Sequence, residues 1–200
     1  RVADMFVDDC DLWTSVKDTE SEQKLVSDFT VATQAWERLL FASGGLLALH
    51  KCYWWLIAWD WTKGLPECRG IGNDEHRVKL TNGLDSVAVP IKRLSMDEAN
   101  VGLGFRLAPN GCQHQEIHYC QQMSDRMAAK VNGATLSPVE AWVFYDAIYR
   151  PKIFYPARIT SFTREEWDKV TRKFTHAIIR QMGFNGHTAR RMIFGPRRLG

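Results

Sequence analysis

The chain has 200 residues, 45% of them hydrophobic and 24% charged. That balance belongs to ordinary globular domains and excludes collagen-like, low-complexity and disordered classes. The longest apolar run, Cys52 to Trp59, is far short of the ~18 residues that a membrane span needs, so no transmembrane helix is expected, and no secretory leader is read at the start. The net charge of +3 is too small to identify a partner, but its distribution is uneven. Residues 1–30 hold eight acids (Asp4, Asp8, Asp9, Asp11, Asp18, Glu20, Glu22, Asp28) against three bases, whereas residues 164–200 hold nine bases against three acids. An acidic start and a basic end suit a metal site beside a polyanion track; two solvated surfaces are the plainer alternative. The five cysteines have no framework spacing and read as reduced thiols of an intracellular protein. The length allows one domain, or one domain with an appended subdomain. The start at Arg1, already inside a strand pattern, reads as part of something longer.

In chain order, Val2 to Val7 and Cys10 to Trp13 predict a tight hairpin with Asp8-Asp9 at its turn. Residues 20–43 predict a helix, with Leu25, Phe29, Ala32, Trp36, Leu39 and Leu40 at helical spacing and Ser43-Gly44-Gly45 as its stop. Lys51 to Trp61, apolar on both faces and rich in Trp and Tyr, predicts a buried strand. Residues 62–75 predict a loop. Arg77 to Leu80 and Val87 to Arg93 flank Thr81-Asn82-Gly83, a hairpin signal. Ser95-Met96-Asp97-Glu98 has capping-box spacing, and Val101 to Ala108 predicts another strand, closed by Pro109-Asn110-Gly111. Three helices are expected after that. The first covers about 113–131, with Ile117, Cys120, Ser124, Met127 and Val131 on one side. The second opens at Ser137-Pro138-Val139-Glu140, and the third opens at Thr163-Arg164-Glu165-Glu166 with the stripe Trp167, Val170, Phe174, Ile178. The switch near residue 112 predicts an α+β fold: an antiparallel sheet with packed helices over 1–111, then a helical region over 112–200.

Asp8-Asp9 is the main chemical candidate. Adjacent carboxylates repel unless a cation lies between them, and Mg²⁺ or Mn²⁺, which prefer oxygen ligands, would meet that need. The chemistry that uses such a point is two-metal phosphoryl transfer. An ordinary acidic turn is the alternative.

Phe6-Val7-Asp8-Asp9 between apolar strands resembles the catalytic hairpin of reverse transcriptases. The succession that follows is similar to that family over essentially the whole chain. It comprises an amphipathic helix at 20–43, a Gly45-Leu46 turn, a Lys51-Cys52 strand start, and Val101-Gly102-Leu103-Gly104-Phe105 as a primer-grip-like strand. Glu140-Ala141-Trp142, Phe154-Tyr155-Pro156, Met182-Gly183-Phe184 and Phe194-Gly195-Pro196 look like the downstream region of retroelement polymerases. The resemblance implies a palm-like sheet followed by a thumb-like helical region. It also implies RNA-directed DNA synthesis, with an RNA template, a DNA primer and deoxynucleoside triphosphates as partners. By this resemblance Asp8 and Asp9 are metal ligands, and Phe6 and Val7 lie near the primer end. Lys51 stands behind the triphosphate, and Leu103 and Gly104 approach the primer closely. For Lys51 a surface lysine, and for Gly104 a bulge glycine, remain alternatives. The family's further metal-binding Asp, on an upstream strand, and its fingers have no counterpart in this sequence, so the chain alone is expected not to polymerise. A nucleic-acid-binding remnant without activity is the runner-up.

Lys169, Arg172, Lys173 and Arg180 are candidates for phosphate contacts. Arg172 and Lys173 are expected not to share one face fully with Arg180. Arg190, Arg191, Arg197 and Arg198 form a second basic cluster. Cys112, His114, His118 and Cys120 are all zinc-capable, which opens a third reading as a small zinc-binding module. On a helix, however, the two cysteines lie ~200° round from their neighbouring histidines, so thiols and surface histidines are expected instead. Trp54, Trp55, Trp59 and Trp61 are expected in the core rather than stacked on bases.

Overall fold

The computed structural model describes residues 2–6, 9–17, 20–71, 76–81, 87–102 and 104–194, with the backbone alone for 2–6, 9, 191 and 192. It is a mixed α and β chain of two compact units, Arg1–Glu98 and Ala99–Gly200. The sequence pattern changes near residue 112, whereas the second compact unit opens at Ala99 and takes in the hairpin before that point.

In the first unit, β1 (Val2–Phe6) pairs antiparallel with β2 (Asp9–Trp13), and Phe6 stands opposite Asp9. α1 (Glu22–Ala42) follows, capped by Ser21, whose hydroxyl accepts the Lys24 N–H at 3.2 Å. Gly44, at φ +86°, turns the chain after α1, where a side chain would be strained. A 3₁₀ turn (Leu49–Lys51) leads to β3 (Tyr53–Trp54). β4 (Trp59–Thr62) and β5 (Leu65–Cys68) form an exposed hairpin. β6 (Lys79–Leu80) pairs antiparallel with β7 (Val89–Pro90), and β8 (Lys92–Arg93) pairs parallel with β3. The unit's core gathers Val26, Trp54, Leu56 and Val78, with Leu25, Phe29 and Ile91 against it.

Several expectations change here. The run Lys51 to Trp61 is not one buried strand. Trp54 and Leu56 are buried, but Trp59 and Trp61 stand in the exposed hairpin, Trp61 at 73% exposure. The segment expected as a loop after residue 62 supplies the other strand of that hairpin. On α1 the buried positions are Val26, Thr33 and Glu37, and Leu39 is exposed. The face is displaced because Glu37 accepts both the N–H and the hydroxyl of Thr81, at 2.9 and 2.8 Å. Leu80 pairs with Val89, so the connection is longer than an Asn-Gly turn; residues 82–86 lie outside the described residues. Ser95 to Glu98 makes a turn without helix, closed by Glu98 N–H to Ser95 O at 3.0 Å.

In the second unit, β9 (Asn100–Gly102) and β10 (Phe105–Leu107) form a hairpin where a single strand was expected. Gly104 has φ +86°, a conformation that suits the turn and not a strand interior. α2 (His114–Asn132) buries Cys120, Ser124, Met127 and Val131 as expected, with Glu116 and Ala128 in addition. α3 (Pro138–Val143) starts with the expected capping box between Ser137 and Glu140. A π-helical stretch (Phe144–Tyr149) runs on into α4 (Arg150–Ala157). Pro151 accounts for the widening: it has no N–H to give, and its ring crowds the carbonyl one turn back. The Arg150 N–H reaches back to Tyr145 O, the wider π spacing. α5 (Arg164–Gln181) starts with the Thr163/Glu166 capping box, ends before Gly183 at φ +79°, and is followed by α6 (Arg190–Phe194).

Val170, Phe174, Ala177 and Ile178 of α5 pack against Cys120, Met127 and Val131 of α2, with Tyr149 and Ile153 between them. Tyr149 stacks flat on Phe174 with ring centroids 3.4 Å apart, and its hydroxyl meets the Ser124 hydroxyl at 3.0 Å. Burial pushes the Tyr149 phenol up to about 12. The β9–β10 hairpin is held to α2 by Glu116. That fully buried carboxylate accepts the Arg106 N–H at 2.7 Å, lies 3.6 Å from its guanidinium, and takes the Cys120 S–H at 3.4 Å. The Arg106 guanidinium covers the Tyr119 ring at 3.6 Å. Among the described residues the strands form five separate two-stranded ladders, not one continuous sheet. No helix among them is long and apolar enough to cross a membrane.

Candidate functional site

The acidic hairpin is in place as backbone. Its register leaves two residues between the paired Phe6 and Asp9, the connection length that hairpins favour. Asp9 is therefore a ladder position and not part of the turn where it was expected. Phe6 is the last residue of β1. Asp8 and Val7 lie outside the described residues, as does Leu103. Gly104 holds the β9–β10 turn by its positive φ, and a Cβ there would come within 3.6 Å of Tyr155, an ordinary contact.

Lys51 ends the 3₁₀ turn, two residues before β3, and its N–H closes on Ala48 O at 2.8 Å. Its side chain is exposed. Beside this turn lies an open cleft of about 800 Å³ whose walls include Leu46, Leu47, Leu49, Val89 and Ile91, with His50 and Lys92 at hand. The walls are mainly apolar, His50 and Lys92 belong to them, and Lys51 does not.

The basic candidates on α5 are all exposed. At about 100° per residue, Lys169, Lys173, His176 and Arg180 fall within about 60° of arc, and Arg172 lies about 40° outside it. Lys169, Lys173, His176 and Arg180 therefore form one ridge, with Arg172 at its edge and not fully on the face of Arg180. From Lys169 to Arg180 it runs about 16 Å along the axis, at 1.5 Å per residue. The signal was legible as i, i+4, i+7, i+11 spacing once His176 is counted with the cations. The ridge is not uniform. Lys173 Nζ pairs with Asp125 Oδ2 of α2 at 2.6 Å, while among the described residues no ion pair engages Lys169, Arg172 or Arg180. Glu165 stands on the same side at the N-terminal end.

The zinc-capable residues separate. Cys112 Sγ lies 3.3 Å from His114 Nδ1, His118 Nε2 meets Gln122 at 2.8 Å, and Cys120 turns inward to Glu116. Among the described residues no group of three or more His, Cys, Asp or Glu is arranged to hold a metal. Burial and the neighbouring Glu116 push the Cys120 thiol up to about 12, which makes it a poor metal ligand.

The buried Glu116–Arg106 pair is the polar feature that sequence reasoning missed. Its signal was faint: a glutamate in the first turn of α2, on the same side as Cys120. Comparison with protein-family models, with curated proteins and with solved structures finds no match for this chain.

Proposed function

We propose that this chain is the C-terminal palm and thumb-like part of a retroelement reverse transcriptase, in which α5 tracks the template–primer duplex and the acidic hairpin serves nucleotidyl transfer. The observation that carries the reading is the exposed basic ridge of α5. An array of cations along one helix face suits contact with successive phosphates and reads no sequence. The β1–β2 ladder supports it further, since an antiparallel strand pair brackets this acidic segment, with Asp9 opening β2.

Asp8 and Asp9 supply hard oxygen donors, which fit Mg²⁺ or Mn²⁺ and not a soft metal. Such an ion, when bound, would activate a primer 3′-hydroxyl toward the α-phosphate of a deoxynucleoside triphosphate and stabilise the departing pyrophosphate. Phe6 and Val7 then flank the primer end. Gly104, at positive φ in the turn after β9, leaves backbone that can approach a strand closely, and the resemblance gives Leu103 the same role. Lys51, exposed, is free to neutralise charge on a leaving group. Two carboxylates are an incomplete ligand set, so the 200-residue chain is expected to bind duplex without extending it.

The binding half is tested on the chain itself. The affinity for an RNA–DNA duplex, measured against salt, should fall steeply, and Lys169→Gln, Arg172→Gln and Arg180→Gln together should reduce the log–log slope by nearly three, about 0.9 per lost contact. An unchanged slope removes α5 from the interface. Duplex binding by a complete protein that never synthesises DNA would favour the inactive remnant.

A further inference from the structure

We propose that Cys112 and His114 form a reactive thiol–imidazole pair, and that Cys112 is the position at which this chain forms mixed disulfides with small-molecule disulfides. The two side chains come from the turn that opens α2. Gly111, at φ +76°, reverses the chain, and the Cys112 N–H is tied to Asn110 Oδ1 at 2.8 Å. The Gln113 side chain accepts the Ser161 N–H at 2.6 Å, fixing the start of α2 to the segment before α5. The pair is therefore held by both sides of the unit. Sγ to Nδ1 is 3.3 Å, hydrogen-bond reach for a thiol and a base. His114 is exposed and Cys112 is half-buried, so a small reagent can arrive. Glu166, whose carboxyl is held low chiefly by its bonds to Thr163 and in part by His114, offers charge balance for the imidazolium.

The chemistry needs only the disulfide as oxidant. With the ring proton on Nε2, Nδ1 takes the Cys112 thiol proton as the sulfur attacks one sulfur of the disulfide. The new S–S bond forms, the old one breaks, and the released thiolate takes the proton back from His114. The other cysteines are placed differently. Burial pushes up the thiols of Cys10, Cys52 and Cys120, and Cys68 is exposed on β5. Exposure alone would favour Cys68; the imidazole favours Cys112.

The test uses glutathione disulfide on the intact 200-residue chain at pH 7, with adducts located by peptide mass spectrometry over time. Cys112 should be modified about tenfold faster than Cys68, well under the ~100-fold that a base supplies in a closed active site, since His114 stands in water. His114→Asn should bring Cys112 down to or below the Cys68 rate while circular dichroism stays unchanged. The wild-type comparison of the two sites needs no variant to fold. Equal rates at the two cysteines, faster reaction at Cys68, or a Cys112 rate untouched by His114→Asn would each overturn the proposal.

Discussion

In Ala99–Gly200 two long helices share a core in which Phe174, Ile153, Ile178, Val170 and Val131 are almost wholly withdrawn from water. In Arg1–Glu98 one long helix meets short strand pairs, and among the described residues the core cluster gathers Val26, Trp54, Leu56 and Val78, with Leu80, Leu94 and Met96 buried apart from it. Several large apolar side chains there remain in solvent, Trp61, Leu65 and Leu46 among them. Stability per buried side chain is similar in both, at roughly 1.5–3 kcal/mol for a large apolar residue, so the helical unit has far more of it to lose. A rigid helical scaffold is what a phosphate-contacting ridge requires, since cations must be held at fixed spacing to act together. The residues proposed for chemistry in the first unit belong to hairpins and turns, where side chains are set by local register.

The sharpest way to break this contrast is Phe174→Ala. Removing a fully buried ring that stacks on Tyr149 should cost about 3–5 kcal/mol, read as loss of cooperative thermal unfolding in the helical unit. Next comes Glu116→Ala. It strips the Arg106 N–H and guanidinium of a buried partner, a loss of about 3 kcal/mol, and amide exchange should show the β9–β10 hairpin released before α5 is. Thr163→Ala removes a helix cap and should cost about 1 kcal/mol. The same cap carries a pH signature. Hydrogen bonds from Thr163 hold the Glu166 carboxyl below the usual range, and those from Ser137 do so for Glu140. A carboxyl depressed in the folded state contributes stability above its unfolded pKa and loses it as pH falls through the folded value. Melting temperatures of wild type and Glu166→Gln should therefore converge as pH falls through and below the ordinary glutamate value of about 4.3. The smallest effect is expected at Trp61→Ala, within about 0.5 kcal/mol because the ring is exposed. A large loss there would erase the distinction between the units.

The helices of the second unit were legible because their caps and stripes agree: Ser137 to Glu140, Thr163 to Glu166, and Val170, Phe174 and Ile178 on α5. The π stretch was not, since Pro151 reads as a helix start or a break, and only the continuous packing of Tyr149 and Ile153 shows that the helix runs through it. The short strands of the first unit misled. A run of apolar aromatics such as Tyr53 to Trp61 has the same composition whether it fills a core or decorates a hairpin, and periodicity cannot separate the two. The strand expected at Val101 to Ala108 folds back on itself because Gly104 takes a positive φ, a property of backbone and not of hydropathy. At the candidate site, the basic ridge followed from spacing alone, while the Cys112–His114 pair depended on the turn at Gly111.

The measurement that bears most directly on the proposed function is primer extension by the complete protein that carries this chain, with an RNA template, a DNA primer and Mg²⁺. Asp8→Asn and Asp9→Asn should each abolish synthesis while template binding through α5 is retained. If both variants extend the primer at the wild-type rate, the acidic hairpin is not the site of nucleotidyl transfer.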